Sequence, residues 1–368
     1  MKNYNNKFGN LAIIIENDAY TDYGKNILAS YLYRKLDELW NVELLIISME
    51  NKLIPQTLKQ CNSCLFNYSY DFIVKFDIDE KFSSLIKASK EYKNEIAKGM
   101  QLFDYLINNP NKYNAYVFIG LTYSILPLLS LTKKRNCIIP LLKPRIGTSM
   151  IANPSVQLAL LNCDYYFCHS HKEANLLQSV QPYAEIRTFP IMLDINSKEN
   201  ASGNNMIADE DIALIMSEFI DSKIEHYCCK LKEKGYTPYI LCEDKSNLNY
   251  NLPKAISFND FIKYFNQFID KIKIALFFMG EDFFPLLYNL AQYCIPIYIS
   301  PDYPWYELID MENIKILSCQ ENFSNLSEVK TIYFQEFHHH NYYNSYLLKF
   351  ITEWSVDNKL RAANIHRY

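Results

Sequence analysis

Residues 11–48 read LAIIIENDAYTDYGKNILASYLYRKLDELWNVELLIIS. The opening run, Leu11 to Ile15, is short and continuously apolar, as a strand buried on both faces must be. A polar turn ending at Gly24 follows. From about Ile27 to Trp40 the apolar residues Leu28, Tyr31, Leu32, Leu36 and Leu39 recur on one helical face. Val42 to Ser48 is a second apolar run. Strand, turn, helix, strand is one βα unit, and strands without a polar face belong in a parallel sheet covered by helices on both sides.

The unit repeats outward. Further strands are expected at Asp71–Phe76, Ala115–Ile119, Cys137–Leu141 and Asp164–Cys168, with helices between several of them. The pattern breaks around Pro190, and residues 196–211 are polar and aperiodic, as a linker should be. A second series follows, with strands at Ile212–Met216, Pro238–Cys242, Ile274–Phe278 and Pro296–Ile299. Helices are expected at about Asp221–Lys234, stopped by Gly235, and at Phe284–Gln292. The tail from His339 to about Lys359 is helical and aromatic-rich. The fold class is therefore α/β, with two Rossmann-like domains at 1–195 and 196–340 and a C-terminal helix, 341–368, packing back on the first.

Composition narrows the function classes. A chain of 368 residues exceeds one ordinary core, and 49% apolar against 21% charged residues excludes disorder. A net charge of -4 leaves no global basic footprint, which argues against a nucleic-acid partner. The ten cysteines are scattered and, with no signal-peptide pattern, read as reduced thiols of a cytoplasmic protein. Cys61 and Cys64 form a lone pair without the second pair a zinc site needs. No apolar run reaches the ~20 residues that span a bilayer. The longest, Tyr116 to Leu131, stops at Lys133, Lys134 and Arg135, a basic patch suited to peripheral contact at the inner face of a membrane or to a solvated turn. Eight glycines against 30 tyrosines leave little material for glycine-rich phosphate loops.

Residues 271–310 read KIKIALFFMGEDFFPLLYNLAQYCIPIYISPDYPWYELID. The stretch resembles the donor-site signature of retaining GT-B glycosyltransferases, family 4 in particular. That signature is an apolar strand, a Glu-x-Phe-Gly turn, a helix with a second Glu, then Gly-x-Pro-Val and a distal Glu-Leu-Ile. Glu281 falls on the first acid, Ile295-Pro296-Ile297 on the strand entry and Glu307-Leu308-Ile309 on the distal acid. The second acid is replaced by Asn289, which accepts a hydrogen bond but loses charge assistance. The turn reads Glu281-Asp282-Phe283-Phe284, so bulky Phe284 stands where the glycine would let the donor approach. Upstream, the family places an arginine and then a lysine after the first strand of the second domain. Ser217 occupies the arginine position and Lys223 the lysine position.

The resemblance implies a nucleotide-sugar donor held by the second domain and an acceptor held by the first, across a cleft. It implies retention of configuration and no metal cofactor. Lys223 and Glu281 would be the catalytic pair, with Ser217, Asp282, Phe283, Phe284 and Asn289 at the donor. Thr21-Asp22-Tyr23-Gly24-Lys25 stands in for the family's first glycine-rich loop, which adds Gly24 to the donor contacts. Ser170-His171-Lys172-Glu173 resembles a Ser-x-x-Glu run of the first domain. Lys25, Arg145 and His171 are the acceptor-side candidates, and Lys25 or Arg145 could supply the missing cation.

Three readings stay open at this point. The first is a glycosyltransferase that passes sugar to a glycan or lipid-linked acceptor, and asparagine, lysine and isoleucine richness places it in bacterial surface polysaccharide synthesis. The second is a non-catalytic GT-B-like protein that binds a glycan or partners a transferase, favoured by Phe284, Asn289 and Ser217. The third is a metal-dependent GT-A transferase using Asp77 and Asp79, an Asp-x-Asp read as following a strand.

Overall fold

A computed structural model describes residues 7–17, 23–50, 54, 58–76, 92–131, 136–142, 146–168, 171–188, 210–217, 222–242, 254–257, 260–261, 264–278, 286–287, 289–290, 293, 295–300 and 314–316. The chain divides into two compact units, one built on residues up to Ile191 and one within Met192–His340. The terminal helix expected at 341–368 lies outside the described residues.

The first unit carries seven strands: β1 Asn10–Asn17, β2 Asn41–Met49, β3 Ser63–Tyr68, β4 Ala115–Ile119, β5 Asn136–Ile139, β6 Cys163–Cys168 and β7 Glu185–Thr188. All pair in parallel, in the order β3-β2-β1-β4-β5-β6-β7. Its helices are α1 Tyr23–Leu36, α2 Tyr70–Lys75, α3 Lys93–Lys98, α4 Met100–Asn108, α5 Leu126–Leu131, α6 Ile146–Ala152, α7 Pro154–Leu160 and α8 His171–Val180. β1 is why the sheet needs cover on both faces: Leu11 through Ile15 are completely buried. Burying each such side chain contributes roughly 1.5–3 kcal/mol. α1 answers on one side with Leu28, Tyr31, Leu32 and Leu36. Leu39, expected on that face, lies past the helix end and is exposed.

The second unit repeats the plan with β8 Ile212–Met216, β9 Thr237–Cys242, β10 Lys254–Ser257, β11 Ile272–Phe277, β12 Ile297–Ile299 and β13 Ile314–Ile316. The order is β10-β9-β8-β11-β12-β13, again all parallel. Numbered within the unit that is 3-2-1-4-5-6, the arrangement of dinucleotide-binding sheets. α9 Ser222–Glu233 buries Ile224, Tyr227, Cys228 and Leu231 against Ala213, Ile215, Ile274 and Leu276. That spacing is one helical face. α10 Phe265–Ile269 precedes β11. Both sheets are α/β and Rossmann-like, as expected from the sequence.

One element differs. Of residues 71–76, expected as a strand, 71–75 belong to α2 and Phe76 is its C-cap; Ser69 caps the other end by accepting from the Phe72 N–H at 3.1 Å. The strand of this region is β3 instead. Asp77 and Asp79 lie outside the described residues, and what precedes them is a helix, not a strand.

Away from the carboxyl ends of the strands, Glu43 near the start of β2 ties the entry of β4 to the sheet. It accepts from Tyr113 Oη at 2.5 Å, Lys112 Nζ at 2.8 Å and Cys64 Sγ at 2.9 Å. The Lys112 ammonium also bonds Tyr105 and lies 5.1 and 5.2 Å from the Tyr105 and Tyr113 ring centroids. Cys64 is thus a hydrogen-bond donor within β3, and among the described residues no three His, Cys, Asp or Glu side chains gather as a metal-ligand set. Among those residues no helix is long and apolar enough to cross a membrane.

Candidate functional site

In parallel α/β sheets a ligand meets the carboxyl ends of the strands where the strand order reverses. In the second unit that point lies between β8 and β11. The neighbouring strand ends are level: the Phe278 N–H donates to Met216 O at 3.0 Å, and the Ser300 N–H donates to Phe277 O at 2.7 Å. The edge is therefore lined by Ser217, Phe278 and Ser300, all buried.

Lys223 stands in the first turn of α9, where that helix faces this edge. Because Ile224, Tyr227 and Leu231 are committed to the core, Lys223 is left half-buried on the flank, and its Nζ donates to Ser300 Oγ at 3.3 Å. The contact joins residues 77 apart in sequence, from the β8–α9 connection to the end of β12. A positive charge, a helix N-terminus and two hydroxyl-bearing residues thus share one strand edge. Backbone N–H groups at such a terminus and a lysine both favour phosphate oxygens. Ser217, where the resemblance expects an arginine, is 2% exposed and brings no charge. Asn289 lies in a helical segment between β11 and β12 and is 1% exposed, its chain neighbours Leu286, Leu287 and Leu290 being similarly buried at 0–1%. Glu281, Asp282, Phe283 and Phe284 lie outside the described residues.

In the first unit the order reverses between β1 and β4. Glu16 and Asn17 end β1 and point to opposite faces of the sheet. On one face the Glu16 carboxylate accepts from Ser124 Oγ at 2.5 Å and pairs with Lys98 Nζ at 3.7 Å. Ser124 Oγ also meets Thr122 Oγ1 at 2.8 Å, and Lys98 pairs with Glu95 at 2.7 Å. On the other face Asn26, in the first turn of α1, donates from Nδ2 to Asn17 Oδ1 at 3.3 Å. Gly24 opens the same turn. The half-buried Lys25 side chain lies along Gly120, just past β4, its Cε 3.3 Å from where a Cβ on that glycine would stand. Gly120 has φ +86°, a conformation that suits glycine.

The acceptor-side candidates do not gather at one point. Lys25 lies at the switch point, whereas His171 is an exposed residue opening α8, after β6. Arg145, Lys133, Lys134 and Arg135 lie outside the described residues. Glu173 of the same short run is fully buried and accepts from the Leu142 N–H at 2.7 Å, fixing the turn after β5 in which Leu141 takes φ +48°. Its place is structural.

Sequence reasoning missed Ser300, Glu16, Asn17 and Asn26. The available signal was positional: Glu16 and Ser300 directly follow runs of buried apolar strand residues, Asn17 comes next after Glu16, and Asn26 sits in the opening turn of the helix that follows β1.

No family model matches this sequence, and no characterised protein matches it at a significant level. Solved structures do match in shape. The lipopolysaccharide outer core galactosyltransferase WaaB, apo form, superposes with TM-score 0.53 at 12% identity, over 93% of this chain and 99% of that one. The UDP-GlcNAc 2-epimerase from Methanocaldococcus jannaschii gives TM-score 0.53 at 14% identity, over 94% and 99%. A chain of the GtfA/B complex gives TM-score 0.53 at 10% identity, over 95% and 99%. The likeness is one of fold, and it extends over both units: the chain is of the GT-B type. One neighbour is named for transfer and another for epimerisation, so the fold alone does not choose the reaction.

Proposed function

We propose that this chain is a glycosyltransferase that takes a sugar from a nucleotide-sugar donor and passes it to a glycan or lipid-linked acceptor. The carrying observation is Lys223, held through Ser300 at the switch point of the second unit's sheet. In the reaction the bond between the sugar's anomeric carbon and the diphosphate oxygen breaks, and the nucleoside diphosphate leaves with the electron pair. The acceptor hydroxyl oxygen bonds to the anomeric carbon and gives up its proton to the departing diphosphate. Negative charge grows on the leaving diphosphate, and the Lys223 ammonium with the α9 N-terminus would stabilise it without a metal. Glu281 is the proposed partner carboxylate, with retention of configuration. The proposed setting is surface polysaccharide synthesis in a bacterial cytoplasm, with peripheral membrane contact through Lys133, Lys134 and Arg135.

The non-catalytic alternative draws on Ser217. With this residue neutral and buried, the position that carries the second cation in the resembled family brings no charge. Calorimetric titration of UDP, GDP and CMP, with and without chelator, separates the readings. The transferase reading expects one nucleotide to bind regardless of chelator and Lys223→Ala to weaken it about 10–100-fold, the value of one charge-assisted hydrogen bond. No binding to well-folded protein supports the non-catalytic module. Binding lost in chelator supports the metal-dependent reading.

A further inference from the structure

Asn26 is 4% exposed, yet its Oδ1 has no hydrogen-bond partner. Its Nδ2 is committed to Asn17 Oδ1 at 3.3 Å; turning the Asn26 amide alone would set oxygen against oxygen, and turning both amides would leave the Asn26 nitrogen unmet instead. Asn17 is itself 5% exposed, and its backbone carbonyl receives Ser48 Oγ at 3.4 Å from the end of β2. A buried polar atom without a partner is costly, so such an atom marks a place where something else completes the bond. Other unmet buried atoms, among them Trp40 Nε1 and Gln267 Oε1, lie away from the switch points. Asn26 lies at one, between the ends of β1 and β4 and next to Lys25.

We propose that Asn26 and Asn17 form a subsite for a hydroxyl group of a neutral sugar. Carboxamides both donate and accept, which matches a hydroxyl in either role. On the other face of the same strand end, the Glu16 carboxylate already holds Lys98 and Ser124. The Lys25 ammonium and the Glu16 carboxylate flank this strand end with opposite charges, so the uncharged amide pair itself sets the ligand class, a neutral hydroxyl. This rests on the acceptor half of the proposed function for its ligand class and owes nothing to the donor edge at Lys223.

The test is saturation-transfer NMR of the full chain with methyl glycosides of glucose, galactose, mannose and N-acetylglucosamine. Asparagine side-chain amides are 15N-labelled and followed in the same titrations. The expected result is saturation of one glycoside with a shift of the Asn26 amide resonance. Asn26→Leu should weaken binding at least tenfold, while Asn26→Asp, which keeps the acceptor oxygen, stays within a few-fold. Should Asn26→Leu not fold, the wild-type amide shift and Asn26→Asp decide alone. Absence of glycoside binding, or binding that leaves the Asn26 amide unmoved, overturns the subsite and leaves an internal water as the missing partner. Nucleotide titration of the same sample keeps the two readings apart: nucleotide binding without glycoside binding overturns the subsite alone.

Discussion

Gly99, between α3 and α4, has an ordinary helical backbone with φ -84° and ψ -6°, so alanine is allowed there by conformation. Space forbids it: a Cβ would stand 2.0 Å from the backbone oxygen of Ser124. The ordinary closest approach of carbon to a carbonyl oxygen is about 3.3 Å, so about 1.3 Å must be recovered by moving backbone. The segment displaced is the one whose Ser124 Oγ bonds Glu16 at 2.5 Å. Overpacking costs about 1–3 kcal/mol, and a strained or broken bond to a charged acceptor adds about 1.5–3. Against this, loss of glycine's freedom in the unfolded chain returns only about 0.4–1 kcal/mol. Gly99→Ala should therefore destabilise the first unit by about 3 kcal/mol, lowering its melting temperature by roughly 6–12 °C.

Urea and thermal unfolding of Gly99→Ala, Ser124→Ala and the double variant test the reasoning. If the alanine acts by pushing Ser124 off Glu16, the double variant should lose at least about 1 kcal/mol less than the two singles together. A Gly99→Ala protein as stable as wild type, or strict additivity, would refute the account.

The remaining predictions concern two carboxylates that tie segments of the first unit together. Burial alone would raise the Glu43 carboxyl, but bonds from Cys64, Lys112 and Tyr113 and the Lys112 charge hold it below its usual value; Lys112, opposed by its own desolvation, is raised by the same contact. The depressed Glu43 contributes above its unfolded value and loses that contribution as pH falls through the folded one, while the raised Lys112 loses its share only at strongly alkaline pH. Glu43→Gln should thus cost about 2 kcal/mol at neutral pH, discounted for a Lys112 that is 35% exposed, with the gap to wild type closing as pH falls through the depressed folded value; a gap unchanged after the carboxyl has protonated, as followed by its own NMR titration, counts against it. Glu173→Ala should cost about 2 kcal/mol by leaving the Leu142 N–H unmet and should speed hydrogen exchange at Leu142, with Glu173→Gln milder; unaltered exchange there refutes the pin.

How much of this was legible follows from where each strand lies. The central strands β1, β2, β4, β8 and β11 are buried on both faces, so their sequences are apolar runs that announce themselves. The four strands that sequence reading did not find, β3, β7, β10 and β13, are the four edges of the two sheets. An edge strand keeps one side toward solvent or loops, as in the alternating exposure of Glu185–Thr188, and carries no continuous apolar signal. The same ambiguity explains 71–76: of the six residues of α2 only Ile73 is buried, too little to set a period. The position of Lys223 in the first turn of α9 was legible because strand, turn and helix place it. Ser300 was not, because its part depends on a lysine 77 residues away.

The two switch points differ in charge, and the difference carries an argument that neither makes alone. Each lies at the carboxyl edge of a parallel sheet with a helix N-terminus nearby, so backbone dipoles favour anions at both. The side chains then separate them. At the second unit the edge adds an ammonium and hydroxyls, Lys223 with Ser217 and Ser300, and reinforces the dipole. At the first unit the strand end adds a carboxylate, Glu16, whose charge is drawn off by Lys98 and Ser124, together with two amides. A diphosphate gains at the second unit's edge, whereas at the first unit Lys25 and Glu16 offset one another and the unmet Asn26 oxygen suits a neutral hydroxyl group. Local charge therefore supports the proposed placing of the donor on the second unit.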